Sequence, residues 1–276
     1  MNPFELFLTN PILNILIAIY KVLEGAGIPG ALGFAIILLS IIIRMIMWPL
    51  TTAQLRSTQK MAALKPHLSR IKEQHGHDKA RHQQEVSKLY KEHGVNPLAG
   101  CLPLLLQIPV FLALYNVLQH VVQFSSADFL TNINSKLYFP SLHLDKIPET
   151  SFLGLNLGIR PNEWQQVGVL ILLVPVVTGL LQLVQSLMMA PPKVQTSGKK
   201  ESKKEQKQGF EDSMAQMQTQ MVFIMPLLIA FFSYGFPFGL SLYWNTFTII
   251  GAIQQYVITG AGQLNKYLPK GLQKGV

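Results

Sequence analysis

Five long apolar segments constrain this chain more than any other feature of its sequence. They cover about residues 31–52, 98–120, 165–189, 217–236 and 239–260. Each approaches or exceeds the ~20 residues that an α-helix needs to cross the hydrocarbon core of a bilayer. None contains Asp or Glu, and Arg44 in the first segment is their only Lys or Arg. The pattern predicts an all-α membrane protein with five transmembrane helices.

The composition agrees with this class. Only 13% of the 276 residues are charged, whereas soluble domains carry about 25%. A single cysteine, Cys101, excludes an internal disulfide and a cysteine metal cluster. The first eight residues contain Glu5 and no basic residue, so they do not predict a signal peptide.

A sixth apolar stretch precedes the five segments. It runs from Ile12 to Leu23, and Asn14, Tyr20 and Lys21 interrupt or flank it. We expect it to be too short to cross the bilayer. The predicted structure of residues 1–30 is therefore an N-terminal interfacial helix that lies flat, with its apolar face among the lipid headgroups.

Positive charge predicts the orientation. Of the 23 Lys and Arg residues, nine lie in 53–97, six in 190–212 and three after residue 260. The long loop 121–163 has only Lys136, Lys146 and Arg160. Because basic residues concentrate on the cytoplasmic side, the prediction is N-terminus out and C-terminus in. The net charge of +9 thus reflects topology and does not require a nucleic-acid partner.

The basic segment 53–97 has the pattern of a cytoplasmic helical hairpin. Leu64, Leu68 and Ile71 repeat at helical spacing on the first arm, which Pro66 should kink, and Val86, Leu89 and Tyr90 repeat on the second. Gly76-His77-Asp78 supplies a turn, and Gly94 with Asn96-Pro97 ends the second arm. The polar segment 190–212 predicts a mobile cytoplasmic loop, and residues 261–276 predict a short basic cytoplasmic tail.

Arg44 is the residue that most indicates a mechanism. A charge within hydrocarbon costs at least about 2.5 kcal/mol, so an intramembrane arginine indicates function. It would then face a water-filled cavity inside the bundle. The alternative is that its side chain snorkels toward the cytoplasmic headgroups, because residue 50 is only about 9 Å further along the helix.

Uncharged polar side chains occur in the other segments. We select as candidates Gln107, Asn116, Gln182, Gln185 and Asn245. Hydrogen bonds between helices would explain each amide. A second interpretation is that several of them converge with Arg44 and line a wet groove.

No motif indicates an enzyme, a cofactor or a metal site. The sequence has no Gly-rich phosphate loop, no recognisable catalytic set and no His/Glu metal motif. The absence of acids within the five segments disfavours a proton- or sodium-coupled transporter, which commonly needs them. Three alternatives stay open: a small-solute channel or transporter, a structural assembly factor for membrane complexes, and an intramembrane enzyme.

Three stretches resemble the YidC family of membrane protein insertases. Asn96-Pro97-Leu98-Ala99-Gly100-Cys101-Leu102-Pro103 and the following residues to Phe111 resemble the second-span signature of the family. Arg44, followed by Trp48-Pro49-Leu50-Thr51, resembles the first span, and Pro237-Phe238-Gly239-Leu240-Ser241-Leu242-Tyr243-Trp244 resembles the last. The similarity runs in order through about residues 31–260, which form the five-span core.

The resemblance implies a membrane protein insertase and chaperone of the bacterial inner membrane that uses no cofactor. Such a protein has a hydrophilic groove that is open to cytoplasm and lipid, in which an arginine attracts acidic parts of clients. Arg44 matches that arginine, and Gln185 and Trp244 resemble groove-lining positions. The partners implied are nascent membrane proteins, the ribosome and the Sec translocon. Unlike Gram-negative members, the sequence shows no large periplasmic domain before the core, and its tail is short.

Overall fold

The protein is described by a computed structural model that covers residues 2–95, 102–122, 128–189 and 210–267. Helices dominate it, so the all-α class is confirmed. A π-helical turn, Glu5–Thr9, leads into the first α-helix. The α-helices are α1 Asn10–Gly25, α2 Ala31–Ala63, α3 Lys65–His75, α4 Lys79–Glu92, α5 Leu102–Val122, α6 Asp128–Asn134, α7 Trp164–Val167, α8 Leu173–Met189, α9 Phe210–Gly235 and α10 Phe238–Thr259. One antiparallel strand pair is present, β1 Ser151–Phe152 with β2 Leu155–Asn156.

The chain divides into two compact units. The first comprises Met1–Trp48, Leu104–Gln182 and Leu227–Gly251, and the second comprises Pro49–Pro103, Leu183–Pro226 and Ala252–Val276. The main apolar cluster lies in the first unit. It includes Leu16 of α1, Leu39 of α2, Leu114 of α5 and Leu240 of α10, all fully buried. Apolar helices pack side by side there, and the polar groups discussed below lie among them.

The N-terminal helix is longer than the sequence predicted. Helical structure is continuous from Glu5 to Gly25, and this stretch is long and apolar enough to cross a membrane. The predicted limits Ile12 to Leu23 are therefore too narrow, and length alone does not exclude a crossing; the interfacial placement of this helix stays a prediction. Pro11 does not end the helix; it lies just after the π-helical turn Glu5–Thr9, where the hydrogen bonding changes to the α-helical pattern. Part of its apolar surface is buried against protein, including Leu13 and Ile17.

Asn14 does not interrupt the helix, because the loop that follows α6 satisfies its amide. The Asn14 Nδ2 atom donates to the Lys136 carbonyl oxygen at 3.0 Å, and its Oδ1 accepts from the Tyr138 N–H at 2.7 Å. About two helical turns further along α1, Lys21 donates to the carbonyl oxygens of Ser141 and His143 at 2.9 and 2.7 Å. These bonds fix α1 to the segment that follows α6.

The loop that follows α6 also caps the start of α10. The α9–α10 turn is tight, as predicted from Gly235-Phe236-Pro237, with α9 ending at Gly235 and α10 beginning at Phe238. The first N–H groups of a helix have no partner within it. Here the Phe238 and Gly239 N–H groups donate to the Ile159 and Leu157 carbonyl oxygens, both at 2.8 Å. The loop thus orients the helix that carries most of the candidate site.

Helices form at all five predicted spans. Two of these, Ala31–Ala63 and Val169–Met189, are long and apolar enough to cross a membrane, and the fourth contains a shorter apolar helix, Val222–Gly235. With Glu5–Gly25, three described helices meet that criterion. The third predicted span is not one continuous α-helix. Gly168 has φ +97° and separates α7 from a 3₁₀ turn and α8, because a backbone conformation open mainly to glycine cannot continue a helix.

The predicted hairpin is confirmed with altered limits. The helix of the first predicted span continues past residue 52 to Ala63, and Pro66 lies in the first turn of α3. Gly76-His77-Asp78 forms the turn, and the Asp78 Oδ1 atom accepts from the N–H groups of Ala80 and Arg81, which caps α4. Gly94, with φ +60°, follows α4.

Several predictions fall wholly or partly on residues that the structure does not describe. They concern the end of the hairpin at Asn96-Pro97, the start of the second span at residues 98–101, part of loop 121–163, the mobile loop 190–212 and the tail beyond residue 267. Of the loop 190–212, the described residues 210–212 belong to α9.

Candidate functional site

Arg44 lies inside the first unit. Arg44 is 6% exposed, whereas the next two residues, Met45 and Ile46, are 57% and 70% exposed. The guanidinium carbon lies 4.6 Å from the centre of the Phe247 ring, within the range of a cation–π contact. This inward placement does not match a side chain that snorkels along the outer surface of α2.

The guanidinium of Arg44 retains an unused donor. Its buried Nε has no hydrogen-bond partner among the described residues, and no ion pair between Arg44 and a described acidic side chain is present. A buried polar group without a partner costs about 1–3 kcal/mol, and more when it is charged. Such a group is suited to bind an acceptor from outside the protein, which can be water or a carboxylate.

A second polar contact involves the same helix as Phe247. The Gln107 Nε2 atom of α5 donates to the Tyr243 hydroxyl of α10 at 2.8 Å. Tyr243 is fully buried, and its ring centroid lies 5.8 Å from that of Phe247. Because residues four apart share a helix face, Tyr243 and Phe247 present an aromatic surface with one hydroxyl, and Phe247 contacts Arg44.

Trp244 and Gln182 form a third contact in the first unit. The Trp244 Nε1–H donates to the Gln182 Oε1 at 3.3 Å. The Trp244 ring packs edge-to-face on Phe111, with centroids 5.4 Å apart. The indole thus has a polar partner on α8 and an apolar one on α5, which is how tryptophan is usually accommodated when partly buried.

The structure does not bring the remaining candidates into these contacts. Asn116 is half-buried on α5, and Gln185 is half-buried in the second unit. Asn245 lies two residues beyond Tyr243, which places it about 200° around α10 from the tyrosine. Its buried Oδ1 has no partner among the described residues. These three residues, like the other candidates, stay predicted site residues.

Sequence reasoning missed Tyr243, Phe247 and Phe111 as members of the site. Tyr243 was part of the last-span motif, but its hydroxyl was not selected as a polar group. The spacing of Tyr243 and Phe247 by four residues on a predicted helix was an available signal. Phe111 gave none, because an apolar residue in an apolar helix is not distinguished by its sequence neighbours.

No group of three His, Cys, Asp or Glu side chains that could hold a metal ion occurs in the described part of the chain. What the arrangement offers is a buried cation on α2 and amide and hydroxyl groups on α5, α8 and α10. These groups can hold water or a carboxylate within an otherwise apolar bundle.

The outward surface of the bundle is apolar. Only 11% of the Val169–Met189 window is buried, compared with 50% of the Ala31–Ala63 window. On α9, Leu227 and Phe231 are exposed four residues apart. Large exposed apolar surfaces of this kind mark a membrane or protein interface. Fold and site together define an α-helical membrane protein whose apolar interior contains a buried cation and several polar contacts.

The comparisons with known proteins agree with that class. Residues 25–265 match the family model described as 60Kd inner membrane protein. The chain belongs to this family. The chain is also similar to a crystal structure of an active YidC insertase with its first transmembrane domain resolved, at 25% identity and a TM-score of 0.55, covering 91% of this chain and 46% of that one.

Curated relatives are found in bacteria and chloroplasts. The chain is 34% identical to the membrane protein insertase YidC of Pseudoalteromonas atlantica, covering 83% of this chain and 33% of the relative. It is 30% identical to the inner membrane ALBINO3-like protein 1 of Chlamydomonas reinhardtii and 34% identical to ALBINO3 of Arabidopsis thaliana, covering 91% and 87% of this chain. The chain spans 49% of the length of each of these two chloroplast relatives.

Proposed function

We propose that the protein is a membrane protein insertase that helps newly made membrane proteins to enter the bilayer. The observation that carries this proposal is Arg44, a buried cation with an unpartnered Nε in an apolar bundle. The names of the relatives, membrane protein insertase YidC among them, support the same activity.

The mechanism lowers a solvation barrier. A client's polar tail cannot cross about 30 Å of hydrocarbon unaided, because its backbone and charges would lose their water. Arg44, Gln107, Gln182 and Tyr243 hydrate part of that path, and Arg44 holds an acidic tail. The client's apolar span then leaves along the exposed apolar surface into lipid. The membrane potential contributes about 2.3 kcal/mol per charge per 100 mV.

The proposed topology has five spans, with the N-terminus and loop 121–163 outside and the C-terminus in the cytoplasm of a bacterial cell. The basic residues of 53–97 and 190–212 support it. Cysteine labelling from outside tests it in sealed cells, in a Cys101→Ala background. A label should reach position 145 and should not reach position 70 or position 200.

The hairpin of α3 and α4 is proposed as the first contact of a client on the cytoplasmic side. Its described side chains are mostly exposed, which suits a surface that meets varied polypeptides. The ribosome and the Sec translocon are further proposed partners. Replacement of residues 65–92 by a short Gly/Ser linker should impair insertion while the thermal stability of the bundle is unchanged. Normal insertion by this variant would remove the capture role.

The main experiment measures insertion of two clients that differ only in the charge of the translocated tail. Arg44→Ala should fail most with the acidic tail and little with the neutral one. Arg44→Lys should retain much of the activity, because an irregular tail requires a positive charge and cannot rely on one forked geometry. Met45→Ala is the matched control, since this neighbour points outward.

The two clients are compared at equal abundance of each variant in the membrane. If Arg44→Ala inserts both clients as well as the parent does, the electrostatic mechanism is wrong. If it loses both equally, Arg44 hydrates or supports the bundle without selecting acidic tails.

A further inference from the structure

The β1–β2 hairpin ends in a turn that is unusual for a loop in water. The two strands pair Phe152 with Leu155, which leaves Leu153 and Gly154 as the two turn residues. Their φ angles are +51° and +81°. Turns with two positive φ angles strongly favour Asn-Gly or Asp-Gly, because most side chains are strained there. Here an apolar leucine occupies the first position and is 81% exposed.

The hairpin is held in place by the residue next to this leucine. Phe152 is buried, and its ring packs edge-to-face on Phe34 of α2 with centroids 5.1 Å apart. A Cβ added at Gly33 would overlap the Phe152 ring, and one at Gly30 would lie 3.0 Å from it. Because Gly30 and Gly33 have no side chains, the Phe152 ring can pack against the first turn of α2. Leu153 is thereby held beside the start of that helix.

The first turn of α2 is also where an apolar stripe begins. Phe34, Leu38 and Ile42 follow one another at intervals of four residues, and all three are exposed. Residues at this spacing share one helix face. On a helix long and apolar enough to cross a membrane, such a face is the one that meets lipid. Phe152 contacts Phe34, the first residue of this stripe. Leu153, the next residue along the chain, therefore lies close to the end of the stripe.

The segment that contains the β1–β2 hairpin has no charged residues. Residues 150–159 contain no Asp, Glu, Lys or Arg, although charged residues occur on either side, at Lys146, Glu149 and Arg160. A turn that protrudes into water gains nothing from an exposed leucine in a strained backbone, and such outliers point to a functional constraint. An apolar turn flanked by charge fits a boundary between hydrocarbon and water.

We propose that Leu153 at the tip of this hairpin inserts into the lipid headgroup region on the external face of the membrane. It would anchor the outer end of α2 to the lipid. The partner is the phospholipid bilayer, at the level where the stripe of Phe34, Leu38 and Ile42 begins. A client polypeptide would be a different partner for the same leucine, and the experiment separates the two. The inference rests on the proposed topology, in which α2 spans the membrane with Ala31 at its outer end.

The test measures depth with a spin label in vesicles of phosphatidylethanolamine and phosphatidylglycerol, without any client present. The sole native cysteine is replaced by Cys101→Ala, and labels are attached at Leu153→Cys, Ile42→Cys and Asp145→Cys in separate proteins. Ile42 is the lipid reference, and the exposed Asp145 is the aqueous reference. The ratio of accessibility to oxygen over a water-soluble nickel complex should be several-fold higher at 153 than at 145 and lower than that at 42, because residue 42 lies about 12 Å further along α2 than Phe34.

Each outcome decides one claim. A label at 153 that is as accessible to the nickel complex as the label at 145, while the label at 42 is in lipid, would overturn the anchor and leave the proposed topology standing. A label at 42 in water would instead overturn the topology. If Leu153→Cys does not fold, the unmodified protein is used in nanodiscs with nitroxide-labelled lipid. Strong broadening of the Leu153 methyl NMR signals is then expected, and their absence overturns the anchor.

Discussion

The helical bundle of the first unit and the α3–α4 hairpin of the second unit are both helical, but they are stabilised differently. In the bundle, apolar side chains from α1, α2, α5 and α10 are fully buried in one cluster. In the hairpin, Val86 is the only buried side chain among those described on α3 and α4. Burial of apolar surface stabilises the first, whereas turn and cap residues define the second.

The difference bears on function. A densely packed bundle tolerates a buried charge only at a cost, so Arg44 and the polar contacts of α10 require an explanation beyond stability. A hairpin with little burial opens at low free energy, and elements that meet binding partners commonly come from such regions. The bundle is therefore suited to hold a fixed polar site, and the hairpin is suited to move.

The largest loss of stability is expected from a substitution that creates a cavity in the bundle. Leu16→Ala should lower the free energy of unfolding in detergent by about 2–5 kcal/mol, because a fully buried leucine is lost. Ile15→Ala, on the exposed neighbour, should change it little. Val86→Ala should affect hydrogen exchange only within α3 and α4. Equal effects of Leu16→Ala and Ile15→Ala would contradict the packed bundle.

A smaller effect is expected from the buried hydroxyl of the site. Tyr243→Phe leaves the Gln107 amide without its acceptor, which should cost about 1–3 kcal/mol of stability. Tyr234→Phe is the matched control, because that tyrosine is exposed on the same outward surface as Phe231. Thermal unfolding of both variants measures the difference. No difference between them would mean that the Gln107–Tyr243 bond contributes nothing to stability.

The next effect is confined to the hairpin. Asp78→Ala removes the side chain that caps α4 and should destabilise that helix by ~1 kcal/mol. Hydrogen exchange of the α4 amides should accelerate, while exchange in α1 and α2 stays unchanged. Asp78→Asn should behave like the parent, since asparagine caps as well. A change that spreads into α1 would show that hairpin and bundle unfold as one unit.

The smallest effect concerns an ion pair on the hairpin surface. Lys88 and Glu92 lie one turn apart on α4 with N···O 4.0 Å, and both side chains are more than half exposed. Such pairs contribute about 0.3–0.5 kcal/mol at most. Lys88→Ala should therefore leave α4 exchange within error of the parent. An effect as large as that of Asp78→Ala would mean that charge contributes as much as capping.

Several features were readable from the sequence because their signals are local. The apolar segments, the hairpin turn at Gly76-His77-Asp78 and the α9–α10 turn each follow from composition or from turn residues. The limits of the helices were less predictable. Asn14 reads as an interruption of the first apolar stretch, yet Lys136 and Tyr138, more than 120 residues away, satisfy its amide.

The candidate site shows the same division. Arg44 could be selected from the sequence alone, because a charged residue within an apolar segment is unusual however the helices pack. The sequence by itself thus determined the helical membrane class and singled out Arg44 as a candidate site residue. Only the tertiary structure decided that Arg44 faces Phe247, that Gln107 pairs with Tyr243 and that Gln182 pairs with Trp244. These contacts join helices far apart in the chain, and a helix face acquires its partners only when the bundle packs.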